Sequence, residues 1–178
     1  MSIEFKAWPK IPRGSGEKVC ITEKMDGTNS CIIISGGKLA GVQSRNRFIT
    51  PEDDNYGFAT WVQDNKEELL GLGEGYHYGE WVGCGIQKNP HNLKEKSFYL
   101  FNASRWDKNN PNLPNCCSVV PVLFAGVGNQ EEIDRIMYKL KECALQEGYT
   151  PEGIIVYFCK TKRYEKYTYN HTEGKWCR

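Results

Sequence analysis

Short apolar runs alternate along the chain with polar breaks marked by glycine, and the period within each run assigns its element. Residues 18–22, 30–35 and 38–43 are apolar stretches too short for helices and read as strands. The step Ser35-Gly36-Gly37-Lys38 joins the last two as a hairpin. Over residues 57–69 the period lengthens. Phe58, Trp61, Val62 and Leu69 fall on one side of a helix that Gly71 stops. Residues 76–82 and 97–103 read as strands, a loop rich in Asn and Pro follows over 107–115, and Val119 to Phe124 reads as one short buried strand. The clearest helix is 130–146. Asn129 caps it, Ile133, Ile136, Met137 and Leu140 recur at helical spacing, and Gly148 lies just past its end. Strands 153–159 and 163–169 close the chain as a hairpin. Strands dominate and helices are interspersed, so the expected class is α+β, with mostly antiparallel sheets and flanking helices.

A length of 178 residues suits one domain with a sizeable core, and residues 1–178 are read as a single unit. The formal net charge of +1 gives no bulk attraction to nucleic acid, so any basic surface has to be local. Candidates are Arg45 with Arg47, the segment 88–96 and the segment 160–166; the last two read equally well as solvated faces. Of the eight cysteines, Cys20, Cys31, Cys143 and Cys159 lie in apolar runs, where a free thiol behaves as a small hydrophobe. No CxxC pair occurs, which argues against a zinc site. The opening MSIEFKAWPK has no apolar signal core, and no run approaches ~18 apolar residues. The expectation is a reduced, cytoplasmic protein without a membrane segment.

The chemistry concentrates around Glu23-Lys24-Met25-Asp26-Gly27-Thr28-Asn29, a polar step between two apolar runs. One reading is a polar hairpin tip. The other is a lysine nucleophile, with Gly27 letting the backbone approach a ligand and Asn29 offering a donor and an acceptor together. The hexapeptide KMDGTN resembles the KxDGxN signature of the covalent nucleotidyltransferases, the polynucleotide ligases and mRNA capping enzymes. The resemblance implies that Lys24 attacks the α-phosphate of ATP and carries AMP as a phosphoramidate.

Further segments follow in the family's order. Ser44-Arg45-Asn46 resembles the ligase motif whose arginine contacts the nucleotide or the nucleic-acid end. Gly79-Glu80, continuing to Gly83-Cys84-Gly85-Ile86-Gln87, looks like the phage RNA ligase 2 and RNA-editing ligase branch, where the glutamate binds ribose or helps hold metal. Ser97 to Asn102 is similar to FYxFD, whose second phenylalanine stacks on the base. That residue is Phe101 here, and Asn102 replaces the usual aspartate. Glu152-Gly153-Ile154-Ile155-Val156 matches EGxxV, which makes Glu152 a metal-site carboxylate. The last motif is usually a KxK pair. Lys166 fills one position, and Lys162 or Arg163 is left to substitute for the other. The opening Trp8-Pro9-Lys10-Ile11-Pro12-Arg13 resembles the start of compact phage and bacterial RNA-ligase-like proteins.

What the resemblance implies is a minimal nucleotidyltransferase, or ligase adenylation, domain. Few residues follow Lys166, so no OB domain is expected. The reaction would be ATP-dependent joining of 5′-phosphate and 3′-hydroxyl RNA ends, with Mg or Mn. Lys24 and Lys166 are the catalytic residues. Glu23, Lys24, Arg45, Glu80, Phe101 and Lys166 bind ATP, Asn29, Arg45 and Arg47 meet the nucleic-acid end, and Glu152 and Glu80 hold metal. The expected partner is RNA, in a nicked duplex or otherwise, handled by a monomer in a phage or bacterial host cytoplasm. A DNA nick ligase and a non-catalytic module that binds nucleic-acid ends remain as alternatives.

Overall fold

The structure is a computed structural model that describes residues 16–107 and 109–169; the Trp8-to-Arg13 segment lies outside them. Among the described residues, nine strands form two sheets. The strands are β1 (Glu17–Glu23), β2 (Thr28–Ser35), β3 (Lys38–Ser44), β4 (Gly75–Val82), β5 (Ser97–Leu100), β6 (Cys117–Val119), β7 (Val122–Gly128), β8 (Gly153–Phe158) and β9 (Arg163–Thr168). The first sheet has the order β7-β1-β8-β9 and is antiparallel throughout. The second has the order β3-β2-β4-β5-β6 and is antiparallel except for the β5–β6 pair. Three helices accompany them: α1 (Phe58–Asp64), α2 (Lys66–Leu69) and α3 (Gln130–Glu147).

Period-two alternation decides which side of each sheet is covered. Val19 and Ile21 of β1, with Ile154, Val156 and Phe158 of β8, pack on Ile133, Ile136, Met137 and Leu140 of α3. Ile32, Ile34, Val42, Trp81, Phe98 and Leu100 of the second sheet pack beneath α1 and α2. There Phe58, Trp61, Trp81 and Phe98 meet with ring centroids as close as 5.0 Å. A small third cluster, Met25, Val82 and Val120, packs the two connections between the sheets against β4. The hairpin at Gly36-Gly37 is as expected. Both glycines have positive φ (60° and 68°), as a two-residue turn of matching twist requires.

Four expectations change. The helix over 57–69 is broken at Asn65, whose side-chain amide donates to the Trp61 carbonyl (2.8 Å) and competes with the helical ladder. The single strand over Val119–Phe124 is two strands in different sheets. Pro121 lacks an N–H, so pairing stops there, and β7 is an edge strand with Val122 and Val127 exposed. Cys143 lies on the outer side of α3 and is exposed, whereas Cys31 is buried and Cys20 and Cys159 are half-buried. The strand expected over 97–103 ends at Leu100, which leaves Phe101 outside the core.

Candidate active site

The chain crosses between the sheets twice, and the two crossings touch. β1 passes to β2 through Lys24–Gly27, and β6 passes to β7 through Val120–Pro121. The Glu23 N–H donates to the Pro121 carbonyl (2.9 Å), and the Lys24 N–H donates to the Gly153 carbonyl (2.9 Å). Lys24 is thus fixed by its backbone where the first sheet hands over to the second. Gly27 is required by close packing: a Cβ there would lie 2.3 Å from the Trp81 carbonyl and 2.6 Å from Val82 Cγ1. The glycine lets the β1–β2 connection pack closely on β4. Asp26 holds the neighbouring loop by accepting from the Lys88 N–H (3.2 Å).

The lysine amine meets a carboxylate at once. Lys24 Nζ lies 2.7 Å from Glu152 Oε1, and both side chains are partly buried. Glu152 sits one residue before β8, next to the Gly153 carbonyl that anchors Lys24. The second Glu152 oxygen, Oε2, is buried and has no hydrogen-bond partner among the described residues. From the other sheet comes a row of paired positions, Asn29, Glu80 and Tyr99. Asn29 Nδ2 donates to Glu80 Oε2 (3.0 Å), while Asn29 Oδ1 accepts from Arg45 Nε (2.9 Å). Glu80 is buried, which pushes its carboxyl up to about 7; Lys24 and Arg45 pull it down, and Glu152 pushes it further up. Lys24, Glu152, Glu80, Asn29 and Arg45 therefore form one electrostatic group drawn from both sheets.

Register sets where other expected site residues stand. Thr22, Ile155 and Lys166 form a row across the first sheet, beside the Gly153–Thr168 pair that adjoins Lys24. Phe101 is 40% exposed and follows β5, with its N–H donating to the Tyr78 carbonyl, on the sheet face that carries Glu80. Lys162 and Arg163 do not approach this group. Lys162 sits in the β8–β9 turn with φ 56°, and Arg163 lies over the Phe158 ring, 4.0 Å from its centroid. Because residues two apart share a strand face, the companion position nearest Glu152 is Thr168. Asn102 serves the chain itself, accepting from Ser104 Oγ (2.7 Å) and the Arg105 N–H (3.1 Å).

Two expected residues have other commitments. The Arg47 guanidinium pairs with the Asp53 carboxylate and also donates to the Asp53, Asp54 and Phe48 carbonyls, so it pins its own loop. Glu23 is buried on the α3 side of β1. Its Oε1 is 3.0 Å from His91 Nε2 and accepts from the Tyr149 hydroxyl (3.3 Å). The His91 and Tyr149 rings are 4.3 Å apart. Nothing in the sequence flags His91 or Tyr149. They come from two loops with no periodicity, and only the fold sets them beside Glu23.

The carboxylates suit a hard cation in a particular way. Among the described residues no three His, Cys, Asp or Glu side chains gather into a cage. The free Oε2 of Glu152, with Glu80 across the cleft, fits a cation that keeps its waters and shares phosphate oxygens, as magnesium does.

No curated protein matches the chain significantly in sequence. Solved structures do match in fold. A Naegleria gruberi RNA ligase variant with ATP and Mn superposes with a TM-score of 0.61 at 21% identity, covering 88% of this chain and 51% of that one. A second variant with ATP and Mn gives 0.59 at 20% identity, with 85% and 49% covered. A third, with AMP and Mn, gives 0.59 at 21% identity with the same coverage. At such identity the likeness establishes the fold, and the chain spans about half the length of these relatives. The family model described as RNA ligase matches residues 17–168. That match runs from the first residue of β1 to the last of β9, across both sheets and both crossings, and the chain belongs to the RNA ligase family.

Proposed function

We propose that this domain is the adenylating core of an ATP-dependent RNA ligase and that Lys24 is its nucleophile. The observation that carries the reading is the Lys24–Glu152 contact of 2.7 Å, made where the two sheets meet. A lysine amine cannot attack while it carries its third proton. Attack requires the free amine, so a proton must first pass from Nζ to a base, the contacting Glu152 carboxylate or water, and the contact must then open. The buried Oε2 of Glu152 is already unpartnered. The likeness to ligase structures holding ATP or AMP with Mn supports the same cofactors here. Glu152 and Glu80 would hold the divalent cation, whose chemistry is to neutralise charge on phosphate oxygens.

The remaining work belongs to the chain's own groups. Lys24 is positioned by its backbone bond to Gly153. Lys166, two residues from the Thr168 that pairs with Gly153, supplies positive charge for the α-phosphate. Phe101 offers an exposed ring on which the base stacks. Arg45 and Asn29, linked to each other and to Glu80, face the nucleic-acid end. As the Lys24 Nζ–Pα bond forms, the bond from the α-phosphorus to the β-phosphate oxygen breaks and pyrophosphate leaves; the AMP then passes from the lysine to a 5′-phosphate, and a 3′-hydroxyl displaces it as free AMP.

Incubating the domain with labelled ATP and magnesium should give a covalent AMP adduct that maps to Lys24, and Lys24→Ala should lose it. An adduct of undiminished yield in that variant would place the nucleophile elsewhere. A non-catalytic end-binding module is the second reading. It is favoured by Thr168, which stands where a second lysine would lie beside Gly153, and it predicts no adduct in the wild type.

A further inference from the structure

A row of exposed aromatic rings leads away from the site along the same sheet face. Tyr76 and Tyr78, two residues apart on β4, are 59% and 52% exposed, and their rings stack at 6.1 Å with planes 17° apart. Across β2 and β3 the position paired in line with Tyr76 is Ile33, then Gly41. Gly41 has no side chain, and the Phe48 ring lies over that gap: a Cβ on Gly41 would be 3.4 Å from it. Phe48 is 69% exposed. Phe48 and Tyr76 line an open cleft of about 570 Å³ that Ile33 also lines. Four residues of strand separate Tyr76 from Glu80, roughly 13 Å at the rise of a β-strand. At the reactive end of this face stands the exposed Arg45.

We propose that Phe48, Tyr76 and Tyr78 form a stacking platform for the unpaired RNA strand whose end lies at Glu80. This rests on the ligase reading for the strand's identity. An exposed ring on a flat sheet gives a sequence-tolerant surface for a base, and only an unpaired base has a free face to offer. The rings are continuous with the site face, and Arg45 lies where a backbone phosphate would pass. A duplex would leave the rings uncovered, so single-stranded ends are the favoured form.

The test compares the wild type with the double variant Phe48→Ala/Tyr76→Ala. Fluorescence anisotropy would follow binding of a short poly-uridine RNA and of an RNA duplex of equal length. Single-strand affinity should fall by roughly tenfold or more, duplex affinity should hold, and a Phe48→Trp/Tyr76→Trp variant should bind as the wild type does. Adduct formation from ATP alone should be unchanged in the alanine variant. Unchanged single-strand affinity would overturn the platform. So would a wild-type dimer that the alanine variant loses, since the rings would then be covered by a second copy. Should the alanine variant fail to fold, 4-thiouridine RNA crosslinked to the wild type decides. Crosslinks at Phe48, Tyr76 or Tyr78 support the platform, and crosslinks confined elsewhere reject it. A wild type that forms no adduct but loses single-strand binding on substitution would sink the ligase reading and leave the platform standing.

Discussion

Glu80 sets how the site responds to pH. Burial is the main cause of its raised carboxyl, at about 7 against an ordinary 4.5, so the folded protein keeps a proton that the unfolded chain has released. The folded state binds more protons between those values, so stability falls as pH rises from about 4.5 and levels off above about 7. Over the whole window the loss is about 3 kcal/mol. Glu80→Gln retains an acceptor for Asn29 and cannot ionise. Its stability relative to the wild type should therefore rise over this window in denaturant titrations taken at several pH values. A difference independent of pH would show that Glu80 titrates normally. Gly27 makes the same point through sterics. The glycine is visible in the sequence, but its reason lies in β4, far along the chain. Gly27→Ala should cost about 1–3 kcal/mol through the clash with the Trp81 carbonyl, again read from denaturant midpoints.

Elements whose signals are local were legible in the sequence. α3 starts and stops where Asn129 and Gly148 say it does, with the Asn129 side chain accepting from the Glu132 N–H (2.9 Å) and Gly148 at φ 78°. Asn129→Ala should accordingly cost about 1 kcal/mol of stability. The β6–β7 division was not legible, because an apolar run says nothing about which sheet each half joins. Pro121 was the available clue, since it cannot donate to a ladder. The site shows the same limit. Lys24, Glu80 and Glu152 could be named from their motifs, but the commitment of Arg47 to Asp53 and the burial of Glu23 beside His91 depend on loops that carry no pattern. Register also separates the candidate lysines of the last motif. Lys166 shares a row with Thr22 and Ile155, whereas Lys162 stands in the far turn. Lys166→Ala should suppress adduct formation by roughly 10²–10³-fold, the usual worth of one preorganised charge, and Lys162→Ala should leave it nearly intact. The reverse result would move the motif.

At the scale of the whole molecule, charge would limit how the proposed ligase core holds nucleic acid. A net charge of +1 supplies no general field for nucleic acid, and the structure narrows the local patch further by spending Arg47 on its own loop. Binding then rests on Arg45, nearby lysines and any stacking surface, with few phosphates neutralised. A patch that neutralises about three phosphates loses roughly 20-fold in affinity for a single strand, and roughly 40-fold for a duplex, between about 50 and 200 mM salt, through the loss of counterion release. On the proposed reading, adduct formation would use ATP inside the cleft, where the Lys24–Glu152–Glu80 group is partly or wholly buried and salt screens it less. The two half-reactions should therefore separate as salt rises, with joining failing well before adduct formation. Sealing of matched nicks that differ only in the sugar at the 3′ end, each titrated with salt beside an adduct assay, reads both quantities at once. Joining should favour the RNA 3′-hydroxyl and fall steeply with salt while adduct yield holds. Equal or better sealing of all-DNA nicks would favour a DNA nick ligase. Adduct yield falling in parallel with joining would mean that salt acts on the cleft itself, and that the sparse charge on the surface is not what limits the reaction.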